Sequence, residues 1–536
     1  MKVNHFLLFY YFATAVLAAG SHRCKPRQPT AASSGVGAVS GTAVVSSTSI
    51  ASSKTIASSK ATASSKAISS SKAISSSKAT ASSKATASSK ATTSSTVTAS
   101  GTATVTLDSA SGTAAFIANG VHNGIPPNDF SAYVKGTPPA KAAVQTQIPD
   151  QFFTGIKLQN ARGGQGNLPE PSRGWMYGKE EYKNRFRAFH SDYLTTRKFG
   201  GNYTLMLGNL FGQRNKTSPH PGDDGDWASW DEFVTTICAD LVKNDILDGL
   251  DIEVWNEPDI QFYNYTPWLQ VWGRAFYQLK AKLPSKVRVV GPGLAKPPAD
   301  TVYWTKWLDF IQKNGSVPDA YTYHHLLTKT DPAISYPIFL EQLSSRHLPV
   351  RPVYVNEFGG PSEQKPSYDA WFISRFERLH LWAARANRES TAETTNDFLA
   401  NTLSKKGDSY SPTGSWWVMS YYANMTGTRL HTTPSKDGDF DVFAVSSGKG
   451  VGSTKILAGA HGTVNPYRVA VTNLSSKGYP SSGEIEVTIK EFSYDGLHGA
   501  TPSPKTHSKT KSQVKNDQIF VNIKPSNASF AYAFEF

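Results

Sequence analysis

Cysteine is almost missing from this chain of 536 residues, which has only Cys24 and Cys238. Two cysteines cannot build the disulfide framework on which small secreted domains rely. Cys238 falls in a helical pattern and is expected in a core; a bridge to Cys24 stays open. Long apolar runs are missing too. The longest, Phe6 to Leu17, falls short of the roughly 20 residues that cross a bilayer, so no membrane span is expected. It follows the basic Lys2 and ends in Ala18, Ala19 and Gly20, the form of a secretory signal over residues 1–20. Acids are missing from the first 100 residues, which carry 11 Lys and Arg. The remaining 436 residues hold 44 bases against 41 acids, so all but +3 of the net charge of +14 belongs to the tail. A nucleic-acid footprint needs basic residues gathered on a folded face, and nucleic acid is therefore excluded as a partner.

What the tail does have is Ser, Thr, Ala and Val, with lysines every six residues at Lys54, Lys60, Lys66, Lys72, Lys78, Lys84 and Lys90. So little apolar surface cannot offset the entropy of ordering. Residues 21–114 are expected to form a disordered, O-glycosylated stalk, a solvated spacer that could also associate with a cell wall. Seven Asn-X-Ser/Thr sequons, at Asn202, Asn215, Asn264, Asn314, Asn424, Asn473 and Asn527, fit export as a glycoprotein to the extracellular space or wall.

From residue 115 the pattern alternates between strands and helices. Strands are expected near Phe116, Gly155, Asn202, Gly249, Val287, Ala320, Pro352 and Ser415. Between them, Tyr182, Phe186, Phe189 and Tyr193 are spaced as one helix face, as are Trp230, Phe233, Ile237 and Leu241. Eight such units predict an α/β fold, a (β/α)8 TIM barrel over residues 115–429. Helix-to-strand connections are short. Strand-to-helix connections are long at 162–178, 208–226 and, between the seventh and eighth expected strands, 388–414. Those long loops gather at the C-terminal ends of the strands, the face that carries active sites. Residues 430–536 lose the helical pattern. Tyr467–Thr472, Glu484–Lys490, Ile519–Ile523 and Phe530–Phe534 predict an antiparallel β-sandwich.

Two glutamates stand out. Leu250 to Val254 alternates as a strand, then breaks into Trp255-Asn256-Glu257-Pro258-Asp259, which puts Glu257 at the mouth of the fourth strand. Val353-Tyr354-Val355-Asn356-Glu357-Phe358-Gly359 does the same for Glu357 on the seventh. Their separation of 100 residues suits three βα units. Retaining glycoside hydrolysis needs two carboxyl groups about 5–5.5 Å apart, one a protonated acid and one a nucleophile. Facing strand ends can hold that distance, so both are candidate catalytic residues.

The motif Trp255–Asp259 resembles the acid/base motif of the clan of retaining (β/α)8 glycosidases that contains glycoside hydrolase family 39. The stretches Ala118–Pro126 and Ala161–Gly164 resemble secreted fungal relatives of that family. The resemblance covers roughly residues 115–430. It implies a secreted hydrolase of O-glycosidic bonds in a cell-wall polysaccharide or oligosaccharide, working without a cofactor. Glu257 would be the acid/base and Glu357 the nucleophile. Asn256 would hydrogen-bond the sugar 2-hydroxyl, and Arg162 would hold Glu357 ionised. Tyr323 and His324 match the clan's histidine-bearing strand end, and alternation lets only one of His324 and His325 face the mouth, His324 being favoured. No metal is expected there, because adjacent strand residues point to opposite faces. Among Trp416, Trp417, Tyr421 and Tyr422, read as the eighth strand, Trp417 and Tyr421 are candidate sugar-stacking residues. The family often carries an acid at about Tyr421. The rival reading is a carbohydrate-binding wall protein without catalysis.

Overall fold

The computed structural model describes residues 99–212, 219–262, 264–326, 330–387 and 391–536. The signal, the lysine repeats, Cys24 and Asn215 lie outside them. Nine strands open the chain: β1 Gly101–Thr113, β2 Gly120–His122, β3 Asn160–Gly163, β4 Asn202–Met206, β5 Leu250–Glu253, β6 Arg288–Leu294, β7 Ala320–His325, β8 Val353–Phe358 and β9 Leu381–Arg385. Strands β2 to β9 pair in parallel and in order, and β9 returns to β2 to close the barrel. Between them run helices such as Lys179–Lys198, Ala228–Lys243 and Tyr265–Lys282. Each buries an aromatic face, Tyr182, Phe186 and Phe189 on the first of these. Cys238 sits in this layer, its thiol pushed up to about 12 by burial.

The eighth barrel strand is not where the aromatic run predicted it. It is Leu381-Trp382-Ala383-Ala384-Arg385, and Gly414–Ala423 is a helix. That helix is apolar on nearly every side because it lies between the barrel and a second β-domain, and such all-round burial erases the periodicity that marks a surface helix. The segment 391–413 therefore follows the eighth strand rather than the seventh. It holds the two-stranded ribbon of β10 Leu403–Lys406 and β11 Ser409–Pro412.

The β-domain contains β12 Thr428–Thr433, β13 Phe440–Ser446, β14 Thr454–Ala460, β15 Tyr467–Thr472, β16 Gly483–Phe492, β17 Thr506–Val514, β18 Gln518–Ile523 and β19 Ala531–Glu535. The expected sandwich is one nine-stranded sheet, ordered β17-β16-β19-β14-β13-β12-β1-β15-β18. Its pairing is antiparallel except between β1 and β15. The two edge strands are consecutive in the chain and meet at a tight turn where Asn516 and Asp517 both have positive φ, so the sheet folds over its own core. Strand β1 also corrects the boundary of the expected stalk. Residues 101–113 keep its Ser/Thr-rich composition, yet Ala103, Val105 and Leu107 alternate inward and are buried.

The barrel and this sheet share buried polar contacts. Arg375 joins Asp331 to Asp441, and Trp371 Nε1 donates to Gly438 O at 2.8 Å. Asn264, Asn314, Asn424 and Asn527 are exposed, and Asn473 is half-buried with its amide on Asp108. Asn202 differs from these. It opens β4, half-buried, and its Oδ1 accepts from Arg197, a poor position for a bulky glycan.

Candidate active site

Strand β5 carries Glu253 into the barrel, completely buried. The chain then leaves the strand and turns at Glu257, whose backbone is left-handed at φ 47° and ψ 51°. A non-glycine residue just before a proline rarely adopts that conformation, and it costs about 1–3 kcal/mol, typical of strain held at functional sites. Two features hold it. The Glu257 N–H donates to Gly293 O at 2.8 Å, and Gly293 itself has φ +68°. A Cβ there would lie 2.6 Å from Trp255 O, so only glycine permits the approach.

Strand β8 brings the second glutamate. Its ladder to β7 slips between Tyr323/Val355 and His324/Glu357, so one residue of β8 is left over. This bulge turns both Asn356 and Glu357 into the barrel, where strict alternation would allow only one. Asn356 reaches down, its Nδ2 donating to Glu253 Oε1 at 2.7 Å. Glu357 reaches across to Arg162 on β3.

Arg162 ties these acids together. Its Nη1 is 2.6 Å from Glu357 Oε1, its Nε donates to Glu253 Oε2 at 2.7 Å, and its Nη2 donates to Asn256 Oδ1 at 2.7 Å. Burial by itself would lower the pKa of this guanidinium; the charges of Glu253 and Glu357 outweigh that and raise it. Glu253 is further held by Thr322 Oγ1 at 2.5 Å. Above them His324 Nδ1 lies 3.1 Å from Glu257 Oε1 and its Nε2 lies 3.5 Å from Glu357 Oε1. Burial would lower the pKa of His324, but Glu357's charge and the bond to Glu257 raise it overall. His122, at the end of β2, stands 3.5 Å from Glu357. Asp259, two residues past Glu257, accepts from Ala295 N at 2.9 Å, and burial pushes its carboxyl up to about 6.

Glu257, His324 and Glu357 present atoms within 4.8 Å of one another, a span that could also ligate a metal. Arg162 argues against that use. Its charge already rests on Glu357 Oε1, and a metal ion bound there would face it at short range.

Of the sequence-stretch candidates, Glu257, Glu357, Asn256, Arg162 and His324 converge on one mouth. Three others do not. Tyr323 points into the helical layer, against Trp304, as alternation from His324 demands. Trp417 donates to Thr501 O and Tyr421 to Glu535 Oε1, both on the β-domain side of the helix Gly414–Ala423. They brace the two domains and are absent from the mouth. His325 also faces outward, with Nε2 on Thr330 O and its ring against Phe372. The residues that sequence reasoning passed over are Glu253, Thr322, Asn356 and His122. Glu253 was readable, since it shares the inward parity of Asp251; Asn356 shares the inward parity of Tyr354, and it is Glu357 that the bulge turns inward.

A strained turn supports this end of the barrel. Phe398, Leu399, Ala400 and Asn401 all have positive φ, a left-handed turn that costs roughly 1–2 kcal/mol per residue. Leu399 N donates to Gly124 O and Arg385 Nε to Ala400 O, fastening the loop after β9 to the segment that follows His122.

No protein-family model matches the chain, and no curated protein matches it by sequence. Solved structures do. One is N2152 from Neocallimastix frontalis, with a TM-score of 0.60 at 18% identity, over 81% of this chain and 98% of that one. Another is a glucosidase from Croceicoccus marinus, with a TM-score of 0.52 at 15% identity, over 81% and 98% of the two chains. The likeness is one of fold.

Proposed function

We propose that the chain is a secreted, retaining glycoside hydrolase, similar to glycoside hydrolase family 39, acting on a cell-wall glycan. The observation that carries this reading is the approach of Glu257 and Glu357, with carboxylate oxygens within 4.8 Å. Oxygens that near suit the about 5–5.5 Å of a double displacement better than the about 6.5–9.5 Å of an inverting pair. The fold shared with a structure named as a glucosidase is in keeping with it.

In this reading Glu357 attacks the anomeric carbon while Glu257 gives its proton to the departing glycosidic oxygen. Glu257 then takes a proton from the water that releases the sugar from Glu357. Arg162 fixes Glu357 through its Nη1, and Asn256, itself held by Arg162, is placed for the sugar 2-hydroxyl. His324 contacts both glutamates and holds them toward one another. The sequons and the signal-like start support export.

The test is hydrolysis of a panel of β-xylosides, β-glucuronides, arabinosides and wall polysaccharides, with the anomeric form of the first product read by NMR. Retention is expected. Inversion would overturn the mechanism, and binding without any turnover would favour the wall-binding reading.

A further inference from the structure

Barrel interiors are ordinarily filled by layers of branched apolar side chains. At the N-terminal ends of its strands this barrel is not. Thr204, Asp251, Arg288, Tyr354, Asn356 and Trp382 surround a cavity of about 190 Å³. One water needs only about 10–15 Å³ of such space, so a ring-sized polar molecule fits.

The walls have a consistent chemistry. The rings of Tyr354 and Trp382 form a corner, with centroids 6.4 Å apart and planes at 63°. Arg288 lies 5.7 Å from the Tyr354 ring centroid and makes two parallel bonds of 2.7 Å to Asp251. Arg288's side chain is 35% exposed against 4% for Asp251, so the cavity meets solvent past the guanidinium. At its inner end stands Asn356, 3% exposed. Its Nδ2 serves Glu253, while its Oδ1 is buried and finds no donor among the described residues. A buried acceptor left without a donor is costly, so this atom demands one from the cavity.

These features select a ligand class. Asp251 and Arg288 cancel each other's charge, which favours a neutral guest over an ion. Flat aromatic faces suit the C–H side of a sugar ring, and the planar carboxylate–guanidinium pair suits adjacent hydroxyls. The Asn356 oxygen accepts from a hydroxyl. We propose that this cavity binds one neutral, monosaccharide-sized polyol at the end of the barrel opposite Glu257 and Glu357. The proposal does not rest on the hydrolase reading.

The test is calorimetric titration of the full chain with D-xylose and D-glucose. It is repeated on Glu357→Gln, which alters the mouth, and on Trp382→Ala and Thr204→Leu, which remove a wall and fill the cavity. Cooperative thermal melts establish which variants fold, and Thr204→Leu serves alone if Trp382→Ala does not. Saturable binding that survives Glu357→Gln and weakens about tenfold or more in the cavity variants is expected. No saturable binding of either sugar, or binding undiminished in the folded cavity variants, would overturn the proposal.

Discussion

Strand β5 sends carboxylates to two levels of the barrel, and the two ends treat them differently. Toward the C-terminal end, Glu253 is enclosed by Arg162, Thr322 and Asn356, and the same arginine continues to Glu357. Side chains from β3, β7 and β8 thus converge on a single acid. At the N-terminal end, Asp251 has one charged partner among the described residues, Arg288 from the neighbouring strand, with Tyr354 also bonded to it, and faces a cavity. Both acids are buried and both are paired. The wider convergence of strands, rather than burial or pairing, separates the end that carries Glu257 and Glu357 from the other. A network of that kind leaves a side chain little freedom, which is what holding two carboxylates at a reactive distance requires.

The comparison can be broken by substitution. The largest effect is expected at the mouth itself. Glu257→Ala should cut turnover of glycosides with poor leaving groups by roughly 10²–10⁴-fold, while activated aryl glycosides keep much of their rate. Equal loss on both, in steady-state assays, would remove Glu257 from the acid role. Next is Arg162→Met, which strands Glu253 and Glu357 without their counter-charge. A loss of about 3–5 kcal/mol in urea unfolding is expected.

Asp259→Asn sharpens the same end through pH. Its folded pKa of about 6 lies above the ordinary carboxyl value of 3.8, so between those two values the native state holds a proton that the unfolded chain gives up. Its contribution is full below pH 3.8 and is lost as pH rises through 6, amounting to about 3 kcal/mol at most. The asparagine variant should lack that slope in melting temperature between pH 4 and 7 and gain on the parent at pH 7; an unchanged slope would refute it. The smallest effect belongs to the other end. Arg288→Met, at a partly exposed pair, should cost only about 1–2 kcal/mol. A cost equal to that of Arg162→Met would erase the distinction drawn between the two ends.

Much of this architecture was legible before any coordinates. Leu250 to Val254 alternates and leads through Trp255 into Asn256-Glu257, and Val353 to Val355 alternates into Asn356-Glu357, so both glutamates and the strands that carry them could be placed. The mistakes have physical reasons. Leu381–Arg385 is five residues long and follows directly on a helix, too brief for periodicity to separate the two. Gly414–Ala423 is buried on two sides and reads as an apolar strand. Strand β1 shares the composition of the tail, and only a partner sheet turns its alternation into structure. The bulge at Asn356 depends on pairing with β7 and has no local signature.

The central claim is that Glu357 is the nucleophile of a retaining pair with Glu257. Its most direct measurement is mass spectrometry of the protein after exposure to a panel of activated 2-fluoro glycosides. The account predicts one covalent glycosyl adduct, mapped to Glu357 and absent from Glu357→Ala. An adduct mapped to any other residue, or none with any glycoside that the protein hydrolyses, would contradict it.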